Sequence, residues 1–528
     1  MATLRGHIYD TQTGATLEAR VHSLASTGQF RAPPDAILKV GDGPPFFYAD
    51  GSFTLDLPGG QADLVVERGT EYRPLLRTVQ MPRTGTVELE LPLERWINLP
   101  GAGWHAGNTH IHYNEKETRP DDRLRLDPQV EDLSVAVISV LQRRELAYAS
   151  NKYPVGRPSG QAASLANGPI VDVGEETRHN QQLRGIPRGI GYGHLMLVNL
   201  EKLVEPLSRG SVLVSDGAPD YPPLIDAADE AHRQGGVVIW CHNGQGMEAP
   251  VAAALGKLDA FNLFDPRWMD PEWDIWYDLL TCGLTLPAST GSDWFICSSN
   301  RVYAFTGDGS AADLAVAAGN RHGGHDGSEG GHEHGAQAGR LTQTTLRYPA
   351  WLEALRAGRT FITNGPALFC AVEGQGPGAT LESPPNLVEV AVRWQSSQPI
   401  HRVEIVADGE VVAAESWEDG RAEGAIQRKV DVAECLWLAV RCFGNGRTSY
   451  GHSLWAHTSP IYFRRNGSTS APPSAQTRRA ASRFVQTLDG AIEWVRTEGR
   501  YPQSSQRDRM IVLFREGRDF FAPRARAG

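Results

Sequence analysis

Two histidines separated by a single residue, His110 and His112, lie in the segment GNTHIHYN. On a β-strand, alternate side chains point to the same face, so both imidazoles would lie together and could bind one metal ion. The pattern alone is weakly specific, because with 16 histidines in 528 residues such a pair arises by chance in about every second chain. Two polar surface histidines are therefore the alternative interpretation.

Five further residues of metal-binding type border segments that we predict to be strands. Glu175 and Glu176 follow PIVDVG, His194 opens GHLMLVNL, His242 follows VVIWC, and Asp293 ends LTLPASTGSD. The C-terminal ends of parallel strands meet at one face of an α/β barrel, so these residues would converge there, although His194 begins its strand. Histidines mixed with carboxylates suit Zn, Mn or Fe and favour an open coordination position. Taken singly, Asp293 could instead cap a helix, and His194 or His242 could be a hydrogen-bonded core residue.

The elements that must position these residues begin with a β-rich segment. Residues 1–97 alternate short extended runs with turns such as Asp50-Gly51, which predicts a small β-sandwich. Residues 98–365 alternate strand-like and helical runs, as an α/β barrel or a doubly wound sheet requires. Within them, 133–141 and 237–241 are predicted strands, and 226–234 and 271–282 are predicted helices.

The remaining chain returns to β-structure and then to helix. Residues 366–464 predict a second β-sandwich, with Asp408-Gly409 as a hairpin turn and one apolar strand face formed by Val388, Val390, Val392 and Trp394. Residues 465–528 predict a linker over 466–475 and then a helix that docks on a neighbour through Ala481, Phe484, Leu488, Ile492 and Val495. The segment 320–340 contains HGGHDGSEGGHEH, which predicts a disordered loop, with metal delivery or adventitious metal binding as the alternative.

Composition narrows the partners and the compartment. The 51 basic and 62 acidic residues give a net charge of −11, which argues against nucleic acid or an anionic membrane as the main partner. The six cysteines form no CxxC pair, no apolar run approaches about 18 residues, and the start MATLRGHIYD lacks the features of a signal peptide. We therefore expect a soluble, cytoplasmic protein with free thiols and a small-molecule substrate; a homo-oligomer formed through the β domains remains open.

An ordered series of motifs resembles the PHP superfamily (polymerase and histidinol phosphatase type), and more closely its carbaryl-hydrolase-like (CehA/McbA) group. The motifs are DGSFTLDLPGG, RGTEY, GWHAGNTHIHYN, VGEE, GHLMLVNL, CHNG, YDLLTCGLTLPASTGSD, GRTFITNGPAL and AHTSPIYF. The resemblance implies a distorted (β/α)7 barrel with a metal site at its C-terminal mouth. It also implies flanking β-sandwich domains, the first of them carboxypeptidase-regulatory-like, and metal-dependent hydrolysis.

The resemblance also implies a ligand set. The residues that match the family's motifs are His110, His112, Glu176, His194, His242 and Asp293. The family pattern Gly-x-Glu favours Glu176 over Glu175, and Glu176 takes the place of an acidic ligand that can bridge two metals. Two departures remove ligands of a full three-metal site: Gln142 and Arg143 stand where Asp-His is usual, and Trp294-Phe295 follows Asp293 in place of x-His. One or two metal ions, Zn, Mn or Fe, are therefore expected.

The resemblance implies a metal-dependent hydrolase that activates water for attack on an ester, carbamate or amide bond of a small molecule. Glu176 or Asp293 would shuttle the proton, and Arg143 is a candidate for an oxyanion or anionic-substrate contact, with a solvated or salt-bridged arginine as the alternative. The sequence contains no GxSxG elbow, P-loop, HExxH or GxGxxG fingerprint. The wider superfamily implies a PHP-type phosphoesterase as the first alternative. The acid-free stretch RHNQQLRGIPRG, with Arg178 and two more arginines, would favour it if the stretch borders the barrel mouth; a solvated loop is the other interpretation. A non-catalytic metal- or carbohydrate-binding protein is the second.

Overall fold

The computed structural model describes residues 1–40, 43–112, 119–140, 163–164, 168–181, 191–213, 217–242, 246–264, 273–293, 299–307, 346–465 and 474–526. These residues form a mixed α/β structure with two large sheets and seven α-helices. The predicted His-rich loop and nearly all of the predicted linker over 466–475 lie outside the described residues.

The first sheet is built from the N-terminal strands. They are β1 (Ala2–Asp10), β2 (Glu18–Leu24), β3 (Ile37–Leu38), β4 (Phe47–Asp50), β5 (Ser52–Leu57), β6 (Gly60–Glu67), β7 (Leu75–Met81) and β8 (Thr86–Leu93). The strand order is β7-β6-β2-β4-β5-β1-β8, with β3 beside β4. Alternation sets the buried face: in β5, Phe53, Leu55 and Leu57 are buried and the residues between them are exposed.

The second sheet holds the remaining strands, and its first part carries the candidate site. The strands of this part are β9 (Trp104–Ile111), β10 (Val135–Val140), β11 (Ala163–Ser164), β12 (Ile170–His179), β13 (Gly193–Val198), β14 (Val237–Trp240), β15 (Ala260–Asn262), β16 (Ala288–Ser289), β17 (Arg301–Phe305) and β18 (Thr360–Thr363). The helices are α1 (Pro120–Val130), α2 (Leu224–Arg233), α3 (Ala249–Ala254), α4 (Asp274–Thr281) and α5 (Tyr348–Arg356), with a short 3-10 helix at Pro100–Ala102.

Seven of these strands form a closed ring. Strands β9, β10 and β12 pair in parallel, β13 pairs antiparallel with both β12 and β14, and β14, β15 and β16 pair in parallel. The segment after β16 then returns to β9, because Asp293 forms a parallel bridge with Ile111. Every residue of β9, β13 and β14 is buried, as expected for strands covered on both faces.

The predicted helix–strand units of this region are confirmed with small shifts of their ends. Helix α2 ends at Arg233, and Gly235 follows it with a φ of +76°, the left-handed conformation that glycine adopts readily after a helix. Strand β14 begins two residues later. The predicted strand over 133–141 is β10, and the predicted helix over 271–282 is α4.

The C-terminal strands continue the second sheet. They are β19 (Ala367–Val372), β20 (Thr380–Glu382), β21 (Leu387–Ala407), β22 (Glu410–Asp431), β23 (Trp437–Arg447), β24 (Ser453–Thr458) and β25 (Ile461–Arg464). The predicted Asp408-Gly409 hairpin is confirmed between β21 and β22, with φ values of +45° and +87° at the turn. Strand β24 pairs with β18, β18 pairs with β17, and β17 pairs with the ring strand β9, which connects this part of the sheet to the ring.

Two long helices complete the chain, α6 (Ala475–Thr497) and α7 (Ser504–Arg526). The Oγ of Ser474 caps α6 by accepting a hydrogen bond from the backbone N–H of Thr477 at 3.1 Å. The predicted apolar face of α6 is buried, and Arg483 of this helix pairs with Asp278 of α4, which confirms the predicted docking. None of the described helices is both long and apolar enough to cross a bilayer, and no disulfide links the described cysteines.

Candidate metal centre

The ring brings the six predicted metal-binding residues into one cluster. They are His110, His112, Glu176, His194, His242 and Asp293, and all are buried. The position of His194 follows from strand direction. Because β13 runs antiparallel to β12 and β14, the start of β13 lies at the same edge of the sheet as the end of β14, which His242 follows.

The first group of ligand atoms, here called site 1, consists of His110, His112, Glu176 and Asp293, whose atoms lie within 4.8 Å of one another. The Nε2 atoms of His110 and His112 are 3.0 Å apart. Asp293 Oδ1 lies 3.4 Å from His110 Nε2 and 3.3 Å from His112 Nε2, and Glu176 Oε2 lies 2.9 Å from His112 Nε2. Site 1 therefore offers two imidazole nitrogens and two carboxylate oxygens, a set that suits a divalent transition metal.

The second group, here called site 2, consists of Glu176, His194 and His242 and obeys the same limit of 4.8 Å. Glu176 Oε1 lies 3.0 Å from His194 Nδ1 and 3.3 Å from His242 Nε2. Glu176 thus directs one oxygen to each site, which is the arrangement of a carboxylate that bridges two cations. Glu175 is not part of either site, because its Oε2 accepts a hydrogen bond from the backbone N–H of Val204 at 2.8 Å.

Hydrogen bonds on the far side of two imidazoles set which nitrogen faces the cluster. His112 Nδ1 donates to the carbonyl oxygen of Ser139 at 3.1 Å, which leaves Nε2 with its lone pair towards Glu176. His194 Nε2 donates to Oδ1 of Asn180 at 2.6 Å, which leaves Nδ1 towards Glu176. Such outer hydrogen bonds orient metal-binding histidines and select the tautomer that can coordinate.

The loop that carries Asp293 is fastened directly to β9. The backbone N–H of Asp293 donates to the His110 carbonyl at 2.8 Å, and the N–H of His112 donates to the Asp293 carbonyl at 3.0 Å. Gly291 lies so close that a Cβ there would be 2.4 Å from the Cβ of His110. His242 and Asp293 have φ values of +56° and +52°, a region that costs energy for residues other than glycine and is concentrated at functional sites.

Neighbouring charges shift the pKa values of the two carboxylates and of one histidine in the cluster. Burial would raise the pKa of Glu176, but the Arg178 guanidinium, 2.7 Å from Oε2, and His110 hold this pKa well below its usual range. Burial also opposes ionisation of Asp293, yet its neighbouring imidazoles, His242 and His110 foremost, lower its pKa. The pKa of His112 is raised despite its burial, because Asp293 and Glu176 face it, so positive charge is favoured at this point of site 1.

The donor set also fits a metal at site 2. Burial lowers the pKa of His194 to about 3, so this imidazole is neutral near pH 7 and its Nδ1 lone pair is available. Among the described residues, neither His194 Nδ1 nor Asp293 Oδ1 has a hydrogen-bond partner, although both atoms are buried. Buried polar atoms are nearly always satisfied; a cation in site 2 would satisfy His194 Nδ1, and one in site 1 would satisfy Asp293 Oδ1.

Other residues close to the ligands in sequence either lie outside the described residues or contribute to the core. Arg143, Gln142, Trp294 and Phe295 lie outside the described residues, as do Trp268 and the arginines at 184 and 188, so the predicted role of Arg143 stays a prediction. Trp240 and Trp276 are fully buried in the core, where Trp276 Nε1 donates to the Leu286 carbonyl at 3.0 Å. His232 lies in the last turn of α2 and pairs with Asp259 at 2.9 Å.

Three contributors to the site were missed at the sequence level. The sequence predicts Arg178 only as a contact for an anionic substrate, whereas in the structure it pairs with Glu176. Asn180 orients His194, and the Ser139 carbonyl orients His112. Glu176, Arg178 and Asn180 occupy alternate positions, and alternate residues of a strand share one face, so this spacing could have placed Arg178 and Asn180 beside Glu176. A backbone carbonyl leaves no such signal.

Comparison with known proteins supplies no relative for this chain, since no family model, curated protein or solved structure matches it. The function must therefore be inferred from the geometry of the cluster.

Proposed function

We propose that this chain is a metal-dependent hydrolase that cleaves an ester, carbamate or amide bond of a small molecule. The observation that carries the proposal is the pair of buried ligand groups that share Glu176, with one carboxylate oxygen directed to each group. The outer hydrogen bonds of His112 and His194 support it, because they present coordinating nitrogens to the same carboxylate.

A divalent cation in such a cluster lowers the pKa of a coordinated water and polarises the oxygen of the bond to be cleaved. The protein's own residues supply the remaining requirements. Both carboxylate oxygens of Glu176 contact Arg178 or a histidine, so Glu176 contributes a fixed negative charge for cations. Asp293 is the candidate for relaying a proton, because Oδ1 faces site 1 while Oδ2 lies 3.8 Å from His242 Nδ1; since its pKa is lowered, it would pass the proton on rather than hold it.

We also propose that the closed ring is a PHP-type distorted (β/α)7 barrel, flanked by N-terminal and C-terminal β-sandwich domains. Two features support this. The ligands come from the ends and edges of successive ring strands in the order that the family motifs imply. The ring also closes through the residue that supplies the last carboxylate, Asp293.

Phosphoester hydrolysis is the second candidate. The buried Arg178 favours it, because a guanidinium beside two cation sites would add attraction for a phosphoryl group once the metals neutralise Glu176. The two candidate functions differ in the role of Arg178. In ester, carbamate or amide hydrolysis it pairs with Glu176 and does not contact the substrate, whereas in phosphoester hydrolysis it also contacts the substrate.

The test begins with metal analysis of full-length protein purified without a polyhistidine tag. We expect one or two transition-metal equivalents in the wild type and their loss in the His110→Ala/His112→Ala double variant. His232→Ala is the matched control, because His232 also pairs with a carboxylate but belongs to neither site. A variant that lacks residues 322–334 separates metal bound by the His-rich segment from metal bound in the ring.

The same proteins are then assayed on chromogenic esters, carbamates, amides and phosphoesters, before and after chelation. We expect turnover of one class that is lost on chelation and in Asp293→Ala. Turnover of phosphoesters alone, with a raised KM in Arg178→Gln, would favour the second candidate. Metal that remains in the double variant and leaves only when 322–334 is deleted would refute the assignment of the metal to the ring.

A further inference from the structure

One metal-binding histidine is oriented by a side chain that is itself anchored at some distance from the cluster. Asn180 Oδ1 accepts the hydrogen bond from His194 Nε2 at 2.6 Å, so the rotamer of Asn180 determines how His194 presents Nδ1 to site 2. Asn180 follows the last residue of β12, where the regular ladder no longer fixes the backbone. Other contacts must therefore hold it.

A single carboxylate holds both neighbours of Asn180. His179 Nε2 lies 2.9 Å from Asp220 Oδ1, and Gln181 Nε2 donates to the same oxygen at 2.5 Å. His179 is fully buried, and its Nδ1 accepts the backbone N–H of Tyr192 at 3.1 Å, which places the ring proton on Nε2 facing Asp220. Asp220 therefore restrains the side chains on either side of Asn180, whose own backbone N–H donates to the Arg209 carbonyl at 3.0 Å.

The C-terminal helical pair holds Asp220 in turn. In the turn between α6 and α7, the backbone N–H of Arg500 donates to Asp220 Oδ2 at 2.8 Å, and the backbone N–H of Asp220 donates to the Arg500 carbonyl at 2.8 Å. The hydroxyls of Tyr501 and Tyr192 are 2.7 Å apart, and Tyr192 lies two residues before His194. The helical pair thus reaches the two strands that flank site 2.

Two glycines leave the Asn180 segment little room to move. A Cβ at Gly191 would lie 2.3 Å from the His179 carbonyl oxygen, and one at Gly210 would lie 2.2 Å from the Asn180 carbonyl oxygen. Both glycines have positive φ values, +104° and +72°, so the close approach is built into the backbone. The segment is enclosed by main chain as well as by Asp220.

From these contacts we propose that Asn180 and Asp220 are positioning residues for site 2, and that the turn between α6 and α7 holds them in place; this rests on the proposed metal site. Asp220 restrains the side chains on either side of Asn180, Asn180 orients the ring of His194, and His194 completes the ligands of site 2. Among the described residues, the outer contacts of His110, His112 and Asp293 come instead from β9, Ser139 and the loop over 290–293, whereas Glu176 belongs to both sites.

The test is calorimetric titration of the chelator-stripped, full-length chain with Mn²⁺. We expect the wild type to bind two ions. In Asn180→Ala and Asp220→Asn, one ion should bind with wild-type affinity and the other about 10–100-fold more weakly, the usual cost of losing an outer-shell partner. Asn180→Asp, which keeps the acceptor oxygen, should bind the second ion at least as tightly as the wild type does. Tyr501→Phe should weaken the second ion by several-fold.

Asp259→Asn is the matched control, since Asp259 also pairs with a histidine and accepts a backbone N–H, at 2.8 Å from Val238, yet contacts neither site. If Asp220→Asn does not fold, Asn180→Ala, Asn180→Asp and Tyr501→Phe still decide the outcome. Unchanged binding of both ions, or equal weakening of both, overturns the positioning role while leaving the metal site intact. A wild type that binds one ion, with an affinity that Asn180→Ala leaves unchanged, also overturns the positioning role. A wild type that binds no ion refutes the proposed function itself.

Discussion

Gly291 provides the sharpest test of the geometry of site 1. An added Cβ would lie 2.4 Å from the Cβ and 2.7 Å from the backbone nitrogen of His110, whereas ordinary contacts begin at 3.4 Å. In Gly291→Ala, His110 and the loop must therefore separate by about 1 Å. The same loop carries Asp293, whose N–H donates to the His110 carbonyl, so two ligands of site 1 would shift relative to each other.

The size of the effect follows from the tolerance of metal coordination. Ligand distances in metal sites hold to about 0.2 Å, so a shift of about 1 Å should weaken binding at site 1 by about 100-fold or more. At a metal concentration of about 100 times the wild-type Kd, bound metal stabilises the wild type by about 2.7 kcal/mol but the variant by only about 0.4 kcal/mol. Overpacking costs a further 1–3 kcal/mol, roughly, with or without metal.

The assay compares denaturant midpoints of the wild type, Gly291→Ala and Gly217→Ala, each with chelator and with Mn²⁺. Gly217→Ala is the control, because a Cβ at that position meets no atom of the described residues within 4 Å. We expect the stability gap between Gly291→Ala and the wild type to widen by about 2.3 kcal/mol when Mn²⁺ is added. An equal gap under both conditions would show that crowding at Gly291 does not reach the ligands, and the reasoning would fail.

Three further predictions concern buried charges. Arg178→Gln should destabilise the metal-free chain, because Glu176 loses its partner at 2.7 Å, and added Mn²⁺ should restore much of the loss in denaturant unfolding. Arg301→Met should lower the free energy of unfolding by about 3–5 kcal/mol in the same measurement. The reason is that Arg301 and Glu131 are both fully buried and form an ion pair at 3.2 Å. A loss under about 1 kcal/mol would contradict this prediction. Burial raises the pKa of Glu248 to about 8, so its contribution to stability is complete below about pH 4.5 and is lost as the pH rises through 8. Glu248→Gln should remove this decline in stability. Parallel pH–stability curves for the wild type and the variant would contradict the prediction.

Much of the local structure could be predicted from periodicity. The strand before His242 and the helix before that strand follow from the apolar pattern and from the glycines that end the helix. The hairpin at Asp408-Gly409 follows from turn chemistry that only a few residue types satisfy. These elements depend on neighbouring residues, which is why a sequence reveals them.

The convergence of the site depended on information that local patterns do not contain. His194 begins its strand, and only the antiparallel direction of β13 brings it to the edge where the other ligands lie. Strand direction is set by the connection from β12 and by pairing partners far apart in sequence, not by the residues of β13. The hydrogen bond from His194 to Asn180, and the distant turn that anchors Asn180 through Asp220, were unpredictable for the same reason.

The closure of the ring through Asp293 has a consequence for the order of events during synthesis. His110 and Asp293 are separated by 183 residues (293 minus 110), and at about 5–20 residues per second a ribosome needs roughly 10–40 s to make that segment. During this interval the emerging chain has the HxH pair but not the carboxylate that closes the ring. We expect stable metal uptake to follow ring closure, so a ribosome stalled before residue 293 should carry a chain that exchanges its metal freely, whereas the finished chain should retain it.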